Sequence, residues 1–335
     1  MPRRTAHWLV AGLLVLHAAA AGAARYPGQP ARGDGLVCVS VHGVACVDRE
    51  SGALRWSALA GEHTLEAVIA GGRVFVAGSG GLRVFRAGTG ELEWRWRSGA
   101  MVFPPTVAGG VAYTGDETGR MWALDADSGD VLWERRFEGW SYPPALVGDT
   151  LVTGGRGGIV RGLDAATGAT RWRRAQSQEL VYRPIAAGGL AVVTTFDGTV
   201  AAYRADGSEA WRHRDPVASR SPAAGGGLLL FGGLDGRLRA RDAADGRLLW
   251  SRDFGEGRLQ RPAVFGPDAR RAALHTPDHR IVVLEVRSGR PLLQIDVPPG
   301  TRGTPLFLAG RGWTVVVHRA GTFSLVPLSD FETDG

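Results

Sequence analysis

His275 and His279 flank Asp278 in "HTPDHR", where two imidazoles and a carboxylate could share a metal ion. A third ligand at suitable spacing is missing. The stretch also aligns with "GGLDGR" at 232–237, so it reads as a hairpin turn. "GGRGG" at 154–158 has the glycines of a phosphate cradle, but no helix follows and no "GK[ST]" is present. Ser208 lies in a turn without a nucleophile-elbow pattern. The Asp-Gly pairs at 197–198 and 235–236 read as hairpin turns rather than catalytic carboxylates. Cys38 and Cys46 enclose "VSVHGVA", a hairpin that would either bring them together as a cross-strand disulfide or bury them as two free thiols. The expectation is therefore no catalytic, cofactor or metal set, and a protein that is not an enzyme.

The elements that position these residues follow from a repeated phrase, D-x-x-[ST]-G-x-x-x-W and its relatives. "DRESGALRW" ends on Trp56, "RAGTGELEW" on Trp94 and "DADSGDVLW" on Trp133. "DAATGATRW" ends on Trp172, "RADGSEAW" on Trp211 and "DAADGRLLW" on Trp250, while "EVRSGRPLL" puts Leu293 in the tryptophan position. The spacings are 38, 39, 39, 39 and 39, then 43. Self-similarity at this period marks a repeat architecture.

One unit, Tyr142 to Trp172, contains four short alternating segments separated by glycine turns. Period-two alternation argues strand, not helix. The phrase is then the turn between the third and fourth strands. Its Asp accepts backbone N–H groups, its Gly supplies a positive φ, and its Trp offers apolar area for packing between neighbouring sheets. A single four-stranded sheet cannot bury both faces, whereas several around an axis can. The fold class expected is all-β: one β-propeller of four-stranded antiparallel blades.

Fifty glycines, more than twice the average usage of roughly 7%, fit many tight turns. Residues 1–24 carry Arg3 and Arg4, an apolar core and small residues before Ala24, the pattern of an export signal. The propeller is assigned to 25–335 as one domain. The 311 residues left after 24 are removed, divided by 39, give about eight units; seven is the alternative. Six units, from about 62 to 293, are complete. The first, 35–56, lacks an innermost strand, and the two chain ends are expected to complete one blade together. No cysteine lies near the cleavage site, so the expectation is an unlipidated protein of the periplasm, free or peripheral at the outer membrane, with no transmembrane segment in the mature chain. The net charge of +6 is carried by 39 basic residues that are all arginine. The chain also lacks asparagine, as a strongly GC-biased genome would dictate, and nucleic acid is not the expected partner.

These phrases resemble the pyrroloquinoline-quinone-like (PQQ-like) β-propeller repeat over nearly all of the mature chain, and most resemble its BamB-like branch of outer-membrane β-barrel assembly scaffolds. That resemblance implies a propeller without catalysis, and protein partners in the cell envelope that include the barrel-assembly machinery. The quinoprotein dehydrogenases share the repeat, but their cofactor site is associated with adjacent cysteines and their calcium site with asparagine, which this chain does not reproduce. The alternative function kept open is a quinone- or ligand-binding propeller, a degenerate quinoprotein or a dehydrogenase accessory.

Tracing a propeller puts the tryptophan phrases on one rim. The entries to the inner strands lie on the other, around the central channel. That second rim carries Phe103, Trp140, Tyr142 and Tyr182 on one arc, and Arg183, Arg220, Arg261 and Arg302 beside the inner-strand prolines. Arginine and aromatic residues are favoured at binding hot spots, so this rim is the expected docking face for an acidic or aromatic peptide segment. Trp56, Trp94, Trp133, Trp172, Trp211 and Trp250 are expected to be structural.

Overall fold

The structure, a computed structural model, describes residues 16–17, 31–40, 43–49, 51–180, 182–219, 222–259, 263–265, 269–296, 306–309, 313–319 and 322–327. Among them there is no helix, and so none long and apolar enough to cross a membrane. Every strand lies in one of eight four-stranded antiparallel sheets.

Seven sheets are blades made of four consecutive strands. Blade 1 comprises Ala31–Gly33, Leu36–Ser40, Val44–Asp48 and Leu54–Ala58. Blades 2 to 7 begin with the inner strands Thr64–Ala70, Thr106–Ala108, Ala145–Val147, Ile185–Ala187, Ala223–Gly225 and Ala263–Phe265. Their outer strands are Leu92–Trp96, Val131–Arg136, Thr170–Ala175, Glu209–Arg214, Leu248–Asp253 and Pro291–Asp296. The first blade is thus complete in itself, which corrects the expectation that it lacks an innermost strand. The three-residue segment Ala31–Gly33 is too short and too polar to show a period-two pattern. In the eighth sheet Leu306–Ala309, Trp313–Arg319 and Thr322–Pro327 pair in order, and Leu16–His17 adds to the outer edge. Those two residues fall in the segment read as an export signal; the rest of that segment lies outside the described residues.

The repeated phrase builds the blade-to-blade joint. In blade 4, Asp164 accepts the Thr167 N–H at 2.8 Å and fixes the turn. The pairing of third and fourth strands then slips by one residue in each of the seven blades, as between Gly162 and Leu163. Such a bulge re-aims the following side chain. Here it turns the tryptophan onto the next blade. The indole N–H groups of Trp56, Trp94, Trp133, Trp172, Trp211 and Trp250 donate to the carbonyls of Ala87, Ala126, Ala165, Ala205, Ala243 and Val286, at 2.7–3.2 Å.

Each of these rings also covers the positive-φ glycine of the next phrase, as Trp172 covers Gly207 (φ 81°). One phrase therefore provides both halves of the joint: the ring for the blade ahead and the glycine for the blade behind. Burying an indole removes about 150–250 Å² from water. That corresponds to about 4–6 kcal/mol per joint as an upper bound. The six tryptophans thus occupy one common place, in the joint between neighbouring blades.

Candidate functional site

The inner-strand rim gathers its aromatic residues into one patch. Phe103 lies 5.5 Å from Tyr142 and 5.8 Å from Trp140 between ring centroids, and Tyr142 lies 5.6 Å from Tyr182. Phe103 and Tyr142 are buried, while Trp140 and Tyr182 are half-buried and face the rim. Prolines explain the placement. Pro104–Pro105, Pro143–Pro144 and Pro184 lead directly into the inner strands and hold the residues before them, Phe103, Tyr142 and Arg183, in extended backbone. Burial pushes the Tyr142 phenol above its usual range, opposed by a hydrogen bond from Arg156.

Arg156 was not legible as a site residue. It sits in "GGRGG", the hairpin turn of blade 4, and its guanidinium stacks 3.8 Å from the centre of the Trp140 ring. The glycine-rich motif bends the chain so that this arginine meets the patch. Arg156 is exposed, so its charge and the Trp140 face form the accessible part of the aromatic arc.

Leu65 and Glu66 were missed as well. Blade 2 pairs Thr64 with Gly78 and then Ala67 with Val76, so Leu65 and Glu66 bulge out of the ladder. Leu65 packs against the cluster that contains Phe103 and Tyr142. Glu66 reaches Arg183, at the entry to blade 5, with 3.8 Å between charged atoms. Blades 2 and 5 are not neighbours, so this pair spans the channel mouth.

Arg183, read from the sequence as a docking cation, faces an acid of its own chain. Arg220, Arg261 and Arg302 lie outside the described residues.

The other motifs resolve into turns. Asp278 accepts from the Thr276 hydroxyl and the Arg280 guanidinium. His275 and His279 keep 6.3 Å between ring centroids, and no group of three metal-ligating residues occurs among the described residues. Burial, then the neighbouring His279, pushes His275 below the usual histidine range. Asp197 and Asp235 accept backbone N–H groups within their hairpins, and Ser208 binds Asp206. Cys38 and Cys46 face each other in the register of blade 1, are fully buried, and form a disulfide.

A quinone carrying several carboxylates would need a set of cations in the channel. The inner strands Thr106–Ala108, Ala145–Val147, Ile185–Ala187 and Ala223–Gly225 have small apolar side chains, with Thr106 the exception. Arg183 is engaged by Glu66, and the disulfide lies inside blade 1.

Fold and repeat together define a PQQ-like β-propeller. Residues 42–139 and 132–264 match the family model of outer membrane protein assembly factor BamB, and the chain belongs to that family. No curated relative matches the chain. Among solved structures, BamB from Moraxella catarrhalis superposes with a TM-score of 0.69 at 17% identity, over 93% of this chain and 99% of that one. The computationally designed protein Ika8 gives 0.78 at 15% identity, over 91% and 97%. Saccharomyces cerevisiae Sqt1 gives 0.76 at 13% identity, over 94% and 97%. At these identities the structural likeness shows the fold alone.

Proposed function

We propose that this protein is a non-enzymatic periplasmic scaffold that binds protein partners during outer-membrane protein assembly. The observation that carries the reading is the BamB family match across residues 42–264. The site it points to is the inner-strand rim, where Trp140 and the exposed Arg156 stack above a rigid aromatic patch. Rigid aromatic and arginine anchors of this kind dominate binding energy at protein interfaces.

The test is a crosslinked affinity pull-down from solubilised cell envelope, read by mass spectrometry. Enrichment of the barrel-inserting subunit of the assembly machinery supports the proposal. Trp140→Ala and Arg156→Ala should each reduce that enrichment, the former by about thirtyfold if Trp140 is a hot spot worth ~2 kcal/mol. Recovery of a dehydrogenase instead, together with a stoichiometric chromophore after incubation with the quinone, would overturn it in favour of the ligand-binding alternative.

A further inference from the structure

The outer strands form the periphery of the ring, and their exposed side chains differ sharply between blades. Downstream of the tryptophan, blades 2, 3 and 4 carry Arg95 and Arg97, Arg135 and Arg136, and Arg173 and Arg174, all exposed. The side chains of Arg95, Arg97, Arg136 and Arg173 make no hydrogen bond or ion pair among the described residues. Arg135 donates only to the carbonyls of Glu134 and Thr167, and Arg174 only to that of Arg173. Arg95, Arg97, Arg136 and Arg173, one and three residues after the tryptophan, thus share one face of three consecutive outer strands, Arg135 and Arg174 lie on the other face, and Glu134 is the exposed acid one residue after Trp133.

The band is local. One and three residues after the tryptophan blade 1 has Ser57 and Leu59, and blade 6 has Ser251 and Asp253, with the half-buried Arg252 between them on the other face. In blade 5, Arg212 pairs with Glu209, and Arg214 lies 3.7 Å from Asp197. Upstream of the tryptophan, on the same strands of blades 2 and 3, Leu92, Val131 and Leu132 stand 47%, 48% and 54% exposed. The wall therefore presents a basic band beside an aliphatic one.

We propose that the outer wall of blades 2 to 4 docks edge-on against an anionic lipid surface. Charge complementarity selects an anionic partner. The periphery of a ring is convex, which suits a planar, deformable surface better than a peptide that needs a groove. Headgroup phosphates meet the guanidinium groups, while Leu92, Val131 and Leu132 enter the boundary beneath them. Arginine suits the position because its alkyl stem can lie along apolar surface while its charge stays at the headgroups.

The test is co-sedimentation of the full chain with phosphatidylcholine vesicles, with and without phosphatidylglycerol. Binding is expected only with the anionic lipid, and it should fall as salt rises. Each arginine near such a surface contributes about fivefold, so removing three charges with Arg95→Ser, Arg136→Ser and Arg173→Ser should weaken binding by about a hundredfold. Arg237→Ser and Arg247→Ser, in blade 6, should leave binding unchanged, and an unchanged thermal melt shows that the triple variant folds. Equal sedimentation with both lipids, or an unaffected triple variant, overturns the proposal. So does retention on immobilised polyglutamate without vesicle binding, which would assign the wall to an acidic protein.

Discussion

Gly207→Ala tests the joint between blades 4 and 5. Gly207 has φ 81°, and a Cβ there would lie 2.5 Å from Cγ and Cδ2 of Trp172. Two costs add. An L-residue held in the left-handed region costs about 1–2 kcal/mol. Displacing a packed indole that is bonded to the Ala205 carbonyl at 2.8 Å adds about 1–3 kcal/mol, as overpacking generally does. Gly148 provides the reference, because it has φ 61° and nothing within 4 Å of its added Cβ. Gly148→Ala should therefore show the backbone cost alone. In urea titrations followed by tryptophan fluorescence, Gly207→Ala should exceed Gly148→Ala by about 1–3 kcal/mol. That excess should disappear in a Trp172→Leu background, where the ring is gone. Equal losses at the two glycines, or an excess that survives removal of the indole, would refute the account of the phrase as a two-part joint.

Asp215 and Arg241 form a buried ion pair between blades 5 and 6, with Arg239 nearby at 3.9 Å. Asp215→Ala should cost about 3–5 kcal/mol, whereas the double change Asp215→Phe and Arg241→Leu should be near neutral, because it copies Phe254 and Leu284 in the following joint. A double-mutant cycle in urea measures the difference. Reducing the disulfide, or Cys38→Ser with Cys46→Ser, should destabilise blade 1 by about 2–3 kcal/mol from loop closure, read as a lower urea midpoint. Acid should weaken the fold. Asp149 is held down to about 2 by Arg171, while Asp235 and Asp278 are held below the carboxylate range, against their burial, by Arg239 and Arg280. A depressed carboxylate contributes its stability above the unfolded value and loses it as pH falls through the folded one. Thermal melts should therefore stay level from pH 7 to about 5 and drop steeply between about 4 and 2.

The propeller was legible because each structural requirement repeats. Six tryptophans 38 or 39 residues apart, each four residues after a glycine and four of them eight residues after an Asp, record the joint, the turn and the turn's cap in one phrase. The site was less legible because its residues do not repeat. Phe103 and Tyr142 were readable from the prolines that follow them, yet their burial in one cluster, against which Leu65 of blade 2 also packs, was not. Nothing local marks Leu65 and Glu66 as a bulge, because "TLEAVIA" reads equally well as an unbroken strand. Arg156 was hidden for the opposite reason: its glycine-rich surroundings describe a turn and carry no record of the Trp140 ring above it. The choice between a disulfide and two thiols at Cys38 and Cys46 needed the strand register, which places the residues directly opposite one another.

The blades are alike in how they join and unlike in what they place inside the joint. Four residues after the tryptophan, blades 3 to 6 carry Phe137, Gln176, Asp215 and Phe254. At the facing position of the next blade stand Leu163, Tyr203, Arg241 and Leu284. Phe137 and Phe254 share apolar clusters with Leu163 and Leu284, Gln176 bonds the Tyr203 hydroxyl at 2.9 Å, and Asp215 pairs with Arg241. One geometric position is thus filled by apolar, neutral polar and ionic pairs in succession. A blade seated beside the wrong neighbour would bury Asp215 against Leu163, or Arg241 against Phe137, and would leave a charge uncompensated at a cost of several kcal/mol. The uniform phrase holds the ring together, and the matched pairs inside it fix the order of the blades. That order is what brings Leu65 to the aromatic patch and lines up the free arginines of blades 2 to 4 on one wall.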